Sequence, residues 1–329
     1  MNRETVILNK KCSVKLTPYI ITEEKRFSFL LCPGGGYNNC DPKESEPVAK
    51  VLNEMGYNAY ILQYSVGKHK GWPEPLEDFD MAMEYLCQQE NEWAVDTEHI
   101  VACGFSAGGH VVSAAASIAK RKPFAAVLCY ALVAEETLQF CLPEAPDTST
   151  LVNKDTVPCF IASSRNDWIV PIFNTNRFME ACDRHYVDYE AHIYGYSCHG
   201  FSVGEAAGTV GPLFSPRVSK WVQDMLGWLT ELSNGTYRSI KESAAYQDAH
   251  VMGYSIDHSC EKLFSNKKIA RMMALKFPMQ WIIYEGAKSQ VGEFVKQVSL
   301  RQILELLGTK EEVLKKIDTE LKGEAYADI

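Results

Sequence analysis

The chain has 329 residues, 46% of them hydrophobic and 23% charged, with a formal net charge of −9. This is the composition of a globular protein with a large core, long enough for two domains or for one large α/β domain with an appendage. The negative balance, with no local lysine/arginine cluster, argues against nucleic acid as a partner. No apolar run is long enough to span a bilayer and residues 1–11 hold no signal-peptide core, so a cytosolic protein with no membrane partner is expected.

Eleven cysteines are scattered without a C-x-x-C pair. Cys103, Cys129 and Cys159 fall inside apolar strand-like runs, where a free cysteine acts as a small hydrophobe. Neither a disulfide framework nor a structural zinc site is expected, and no metal or cofactor is called for.

The first twenty residues alternate apolar and polar side chains (Val6, Leu8; Val14, Leu16; Tyr19, Ile21), the pattern of leading strands at a sheet edge. A short apolar run at 27–31 then ends in CPGGGY, residues 32–37. Three consecutive glycines cannot be a strand or helix interior without a large entropic cost, so they form a loop whose backbone can approach a ligand. A helix is predicted over 42–55, closed by Gly56, then a strand over 57–64 and a polar connection over 65–71. Behind the proline-bounded WPEP (72–75), the spacing of Leu76, Phe79, Met83 and Leu86 predicts an amphipathic helix to about Gln89.

Residues 99–110, HIVACGFSAGGH, read as a buried strand, a sharp turn and the start of an alanine-rich helical run over 111–119. A serine at the apex of such an elbow is strained and exposes its hydroxyl. The glycines at 104 and 108 are needed because strand and helix crowd together, and the Ala107 N–H at the helix start has no intrahelical partner and can bind an anion. Another buried strand follows at 124–132, then an irregular excursion at 135–157 that either edges the site or is a surface loop. Strand (159–163), loop (164–171), helix (172–184), strand (189–194), glycine-bearing loop (196–201) and amphipathic helix (215–232) complete the alternation. Alternating β and α segments predict an α/β fold with a doubly wound, mostly parallel sheet.

Ser233-Asn234-Gly235 stops the last of these helices, which places a boundary between domains 1–235 and 236–329. The remainder is helical in pattern. Ser299 with Gln302, and Thr309 with Glu312, have capping-box spacing, and Gly308 between them is a C-terminal stop. The apolar stripes of this small helical module cannot be buried alone, so they pack on each other, on the main domain or on a second subunit as a homo-oligomer. No internal repeat is visible.

A serine hydroxyl needs a base to take its proton, and an imidazole base needs a third group to hold its tautomer. In doubly wound hydrolase sheets the three come in the order serine, acid, histidine from loops after successive strands. Ser106, Asp167 and His199 satisfy that order, each directly after a strand-like run. Asp147 and Asp155 lie in the irregular excursion, Asp183 and Asp188 at a helix end and its turn, His185 at a helix terminus and His192 inside a strand. His110, four residues past the apex, points away from it as a packing or hydrogen-bonding residue. Cys198 has no elbow around it. The oxyanion of acyl transfer needs at least two preset donors, for which Ala107 N–H and the N–H of Gly35 or Gly36 are the candidates.

The chain resembles the α/β-hydrolase superfamily and most closely its bacterial carbohydrate-esterase-like branch, which includes acetyl xylan esterase and feruloyl esterase-like proteins. The matching pieces are CPGGGY (32–37), EPVAKVLNEMGYNAYILQYSVG (46–67), WPEPLEDF (72–79), CGFSAGGH (103–110), NDWIVP (166–171) and CHGF (198–201), over about two thirds of the chain. The resemblance implies the same Ser106, Asp167, His199 triad, an oxyanion site at the glycine loop, and a small ester substrate such as an acetylated sugar or oligosaccharide. Two departures stand out: residues 132–158 are shorter and more acidic than in related sequences, and the helical tail from about Asp248 resembles a module appended to some carbohydrate-active enzymes. The expected function is a serine esterase. A prolyl-oligopeptidase-like peptidase would need a propeller ahead of Phe27, where there is no room for one, and a non-catalytic binding protein on this scaffold would not need an intact triad.

Overall fold

The computed structural model describes residues 4–240, 254–291, 295 and 298–325. Two compact units divide it, residues 1–240 and 241–329. Past Gly235, the Ser239 hydroxyl and the Ile240 N–H still donate to the Asp188 carboxylate, both at 2.6 Å, which keeps them with the first unit. The predicted start of the helical tail near Asp248 lies outside the described residues.

The first unit is built on β1 (Val6–Asn9), β2 (Val14–Tyr19), β3 (Ser28–Cys32), β4 (Asn58–Gln63), β5 (Ile100–Phe105), β6 (Ala125–Cys129), β7 (Cys159–Ser164) and β8 (Tyr189–Tyr194). They form one sheet in the order β1-β2-β4-β3-β5-β6-β7-β8. β1 and β2 are the antiparallel edge expected from the alternating N-terminus, and β4, β3 and β5 to β8 run parallel. Because successive side chains of a strand face opposite ways, each central strand feeds two cores. Leu30 and Cys32 of β3 join the layer holding Phe79 and Met83 of α2 (Glu74–Gln88), Val111 and Val112 of α3 (Ala107–Ile118), and Phe178 of α5 (Phe173–His185). Phe29 and Leu31 join the opposite layer, with Val48 and Leu52 of α1 (Glu46–Glu54) and Trp221, Met225 and Trp228 of α6 (Trp221–Ser233). The sheet is doubly wound, as predicted.

Three predicted elements are interrupted. The helix expected over 42–55 is a 3-10 turn, Pro42–Glu44, broken at Ser45 before α1 begins. The helix expected over 215–232 starts as a 3-10 turn, Pro216–Lys220. The strand expected over 124–132 stops at Cys129, where Tyr130 adopts φ +37° and turns the chain off the sheet. Proline explains the first two, since it sets φ at the start of a turn but donates no hydrogen bond. The third has no signal in its apolar sequence.

The second unit has its own core, including Ile256, Leu263, Ile269, Met273, Leu300, Leu304, Ile317 and Leu321. Its helices are Cys260–Ser265, Lys267–Lys276, Pro278–Val291, Leu300–Leu306 and Glu311–Ala325. Ser299 and Gln302 form the predicted capping box, and Gly308 is left-handed at φ +79°. The second predicted box does not form: the last helix starts at Glu311, and the buried Thr309 hydroxyl has no partner among the described residues. No described helix is long and apolar enough to cross a membrane.

The parallel strands aim the loops after β3, β5, β7 and β8 at one edge of the sheet, and the start of α3 is pressed against the loop after β3. A Cβ on Gly108 would lie 1.9 Å from the Cys32 carbonyl oxygen and 2.5 Å from that of Pro33, both backbone atoms that cannot yield cheaply. Gly108→Ala should therefore destabilise the protein by about 3 kcal/mol or more in urea unfolding. Gly195→Ala, where a Cβ meets nothing within 4 Å, should change it by less than about 1 kcal/mol.

Candidate active site

β5 runs into α3 through a single residue, Ser106, held at φ 51° and ψ −116°. Such a conformation costs a non-glycine residue on the order of 1–3 kcal/mol and persists only where the surroundings enforce it. Here the Ser106 N–H donates to the Cys129 carbonyl (3.0 Å), and the Ser106 carbonyl accepts from Leu132 N–H (3.0 Å) and His110 N–H (3.2 Å). The side chain is thereby turned out at the carboxyl edge of the sheet.

The residues predicted to partner it arrive there. His199, after β8, bonds Ser106 Oγ through Nε2 at 3.0 Å and donates from Nδ1 to Asp167 Oδ2 at 2.6 Å. With Nδ1–H given to the carboxylate, Nε2 keeps its lone pair for the serine proton. Asp167, after β7, has a side chain only 2% exposed, and its Oδ1 accepts the N–H of Ile169 and of Val170, each at 2.9 Å. Asn166 ties the acid and histidine loops together, its Oδ1 accepting from Ser197 N–H and from the Ser164 hydroxyl at 2.9 Å each.

The glycine loop after β3 lines the same cavity. The N–H groups of Gly35, Gly36 and Ala107 have no acceptor among the described residues, which leaves all three available to an oxyanion. The N–H of Gly34 is not available: it donates to Glu44 Oε2 at 2.7 Å. Glycine is required at 35 by the loop's own backbone: with φ +120°, a Cβ there would sit 2.2 Å from the Asn39 carbonyl oxygen.

The cavity has a volume of about 430 Å³. Gly35, Gly36, Ser106 and His199 form its reactive side, and Thr137, Phe140 and Cys141 from the 135–157 excursion face them. The excursion is thus a wall of the site. It holds α4 (Glu135–Leu138) and is bolted to α5. Asn174 Oδ1 accepts from Val133 N–H (3.1 Å) and Ala134 N–H (2.9 Å), while Arg177 pairs with Glu136 (2.7 Å) and Asp147 (2.8 Å).

Two groups of residues escape sequence reasoning. Glu44, 3% exposed, bonds both Gly34 and Tyr130, whose hydroxyl donates to Glu44 Oε1 at 2.8 Å. An acid on a stretch predicted as plain helix gives no sign that it is buried. The second group is Tyr37, His110 and Pro146. The Tyr37 hydroxyl bonds His110 Nδ1 at 2.6 Å, and His110 Nε2 bonds the Pro146 carbonyl at 2.9 Å. The carbonyl can only accept, so Nε2 carries the proton and Nδ1 accepts from the tyrosine. His110 is therefore turned from the apex, as its helical position predicts, and it links the glycine loop, the elbow helix and the excursion.

Residues 22–140 match the family model BD-FAE. Endo-1,4-beta-xylanase B of Butyrivibrio fibrisolvens is 27% identical over 212 residues, covering 54% of this chain and 33% of that protein. This chain spans less than half the length of the curated relatives it matches. Among solved structures, an alpha/beta hydrolase enzyme from a Medee basin deep-sea metagenome library superimposes with a TM-score of 0.64 at 28% identity, covering 70% of this chain and 97% of its own. An acetyl ester-xyloside bifunctional hydrolase from Caldicellulosiruptor lactoaceticus gives 0.61 at 26% identity, with 70% and 96% covered.

Burial lowers the pKa of His110 to about 4, opposed only in part by the Pro146 carbonyl and the charge of Asp147. The unfolded chain protonates this histidine near pH 6.5 and so binds more protons than the folded one below that pH. Its contribution to stability is complete above about pH 6.5 and is lost as the pH falls toward about 4, by up to about 3 kcal/mol. Urea unfolding across that window should show this slope, and His110→Gln should flatten it while lowering stability at neutral pH.

Proposed function

We propose that this α/β-hydrolase, with its BD-FAE segment at residues 22–140, is a serine esterase that removes short acyl groups, acetyl above all, from sugar hydroxyls by way of an acyl-enzyme. The observation that carries the reading is the unbroken relay from Asp167 through His199 to Ser106, at 2.6 and 3.0 Å, beside unengaged backbone N–H groups.

The chemistry follows from that geometry. Ser106 Oγ attacks the acyl carbonyl as His199 Nε2 takes its proton, and Asp167 stabilises the imidazolium that forms. Negative charge gathers on the carbonyl oxygen, where Ala107 N–H and the N–H of Gly35 or Gly36 receive it. The tetrahedral intermediate collapses, His199 returns its proton to the departing alcohol, and water repeats the sequence to free the acid.

Support for the substrate class comes from two directions. The cavity, about 430 Å³, is near the lower end of ligand pockets, which run from about 300 to 1,000 Å³. Thr137, Phe140 and Cys141 line this small cavity, in keeping with a short acyl group. One structural relative is an acetyl ester-xyloside hydrolase and one sequence relative is a xylanase, both acting on xylose-based compounds by their names.

In steady-state turnover of an aryl acetate, Ser106→Ala should leave no activity above buffer and Asp167→Asn should lower kcat by about 10⁴-fold. Across a panel, acetylated xylo-oligosaccharides should give higher kcat/KM than feruloyl esters of the same saccharides. A preference for the feruloyl esters would overturn the acyl assignment, and a Ser106→Ala variant with wild-type turnover would overturn the mechanism.

A further inference from the structure

Glu44 is a carboxylic acid beside the reactive groups with no cation bonded to it among the described residues. It lines the catalytic cavity yet is 3% exposed, on the 3-10 turn Pro42–Glu44. Both of its oxygens accept, Oε2 from Gly34 N–H at 2.7 Å and Oε1 from the Tyr130 hydroxyl at 2.8 Å, the arrangement of an ionised carboxylate. The Tyr130 oxygen accepts in turn from Ser202 N–H at 3.1 Å, and the Ser202 hydroxyl donates to the Lys43 carbonyl at 2.7 Å. The Tyr130 ring stands edge-on to the His199 ring, with centroids 5.0 Å apart.

These bonds join three loops that the triad mechanism needs in register. Gly34 precedes the two candidate oxyanion donors, Tyr130 ends β6 in its left-handed conformation, and Ser202 lies three residues past His199. The space is as tight as the bonding: a Cβ on Gly34 would lie 2.6 Å from Glu44 Oε2 and 2.8 Å from Ser106 Cβ. Burying a carboxylate costs desolvation, which the bonds it makes must offset.

We infer that Glu44 is a positioning residue for the esterase reaction: it fixes the glycine loop and Tyr130 around Ser106. The inference rests on the reading of Ser106, His199 and Asp167 given above.

Burial raises the pKa of Glu44, while the Tyr130 and Gly34 donors and the charge of His199 oppose that rise. Burial pushes Tyr64, Tyr130 and Cys129 far up, and Cys40 to about 12, so these four are neutral at working pH. The charged groups acting on Glu44 are Asp41, which raises its pKa, and His199, which lowers it.

Glu44→Gln keeps the shape and can still accept from Gly34 while removing the charge. In the full-length protein, kcat for an aryl acetate should fall about 10- to 100-fold with KM changed less than about threefold. A purely structural role would lower the yield of folded protein and leave kcat per folded site unchanged, so a wild-type kcat overturns the inference, as does a KM that rises along with the fall in kcat. Should Glu44→Gln not fold, Tyr130→Phe decides. It keeps the ring and the Glu44 carboxylate but removes the hydroxyl, and a kcat about 3- to 10-fold lower with KM changed less than about threefold supports the inference, whereas an unchanged kcat overturns it. A wild-type protein with no ester turnover would refute the esterase reading itself, which separates that failure from this one.

Discussion

The start of α3 is pressed against the end of β3, and most of the site follows from that contact. With Gly108 beside the carbonyls of Cys32 and Pro33, there is no room for a loop between β5 and α3, and one residue must make the turn. Ser106 makes it at φ 51°, clamped by the backbone of Cys129, Leu132 and His110. The same approach brings the glycine loop after β3 alongside the elbow, so that the proposed nucleophile and the candidate oxyanion donors follow two strands paired directly in the sheet. Strain in the turn is offset by burial of the strands and helices on both sides.

The loops around the elbow are braced in layers. Asn166 holds the acid loop to the histidine loop, and Asn174 with Arg177 holds the excursion to α5. His110 joins the glycine loop to the excursion through Tyr37 and Pro146. None of these side chains faces the reacting atoms. What they do is keep four separate loops within hydrogen-bonding tolerance of one another, which backbone donors aimed at a developing charge require.

Much of this was legible in the sequence. The alternation of buried strands and amphipathic helices gives the doubly wound sheet, and the order Ser106, Asp167, His199 after successive strands identifies three side chains that meet. Local signals such as the Ser299–Gln302 box and the stop at Gly308 also hold, because they depend only on neighbours in the chain. What stayed hidden depends on distant contacts. Glu44 sits in a segment predicted as one continuous helix, and its partner Tyr130 in a run that predicts continuous strand. Each departs from local preference because the other, 86 residues away, satisfies it. The 135–157 excursion had no periodicity to read, and only its bonds to Asn174 and Arg177 make it a wall.

The proposal that the fold turns Ser106 into the reactive nucleophile of an acyl transfer is tested most directly by treating the protein with a fluorophosphonate and mapping the adduct by peptide mass spectrometry. One adduct per chain is expected, on Ser106, formed at a rate that falls steeply in His199→Ala. An adduct on another serine, or none on a folded protein, would contradict it.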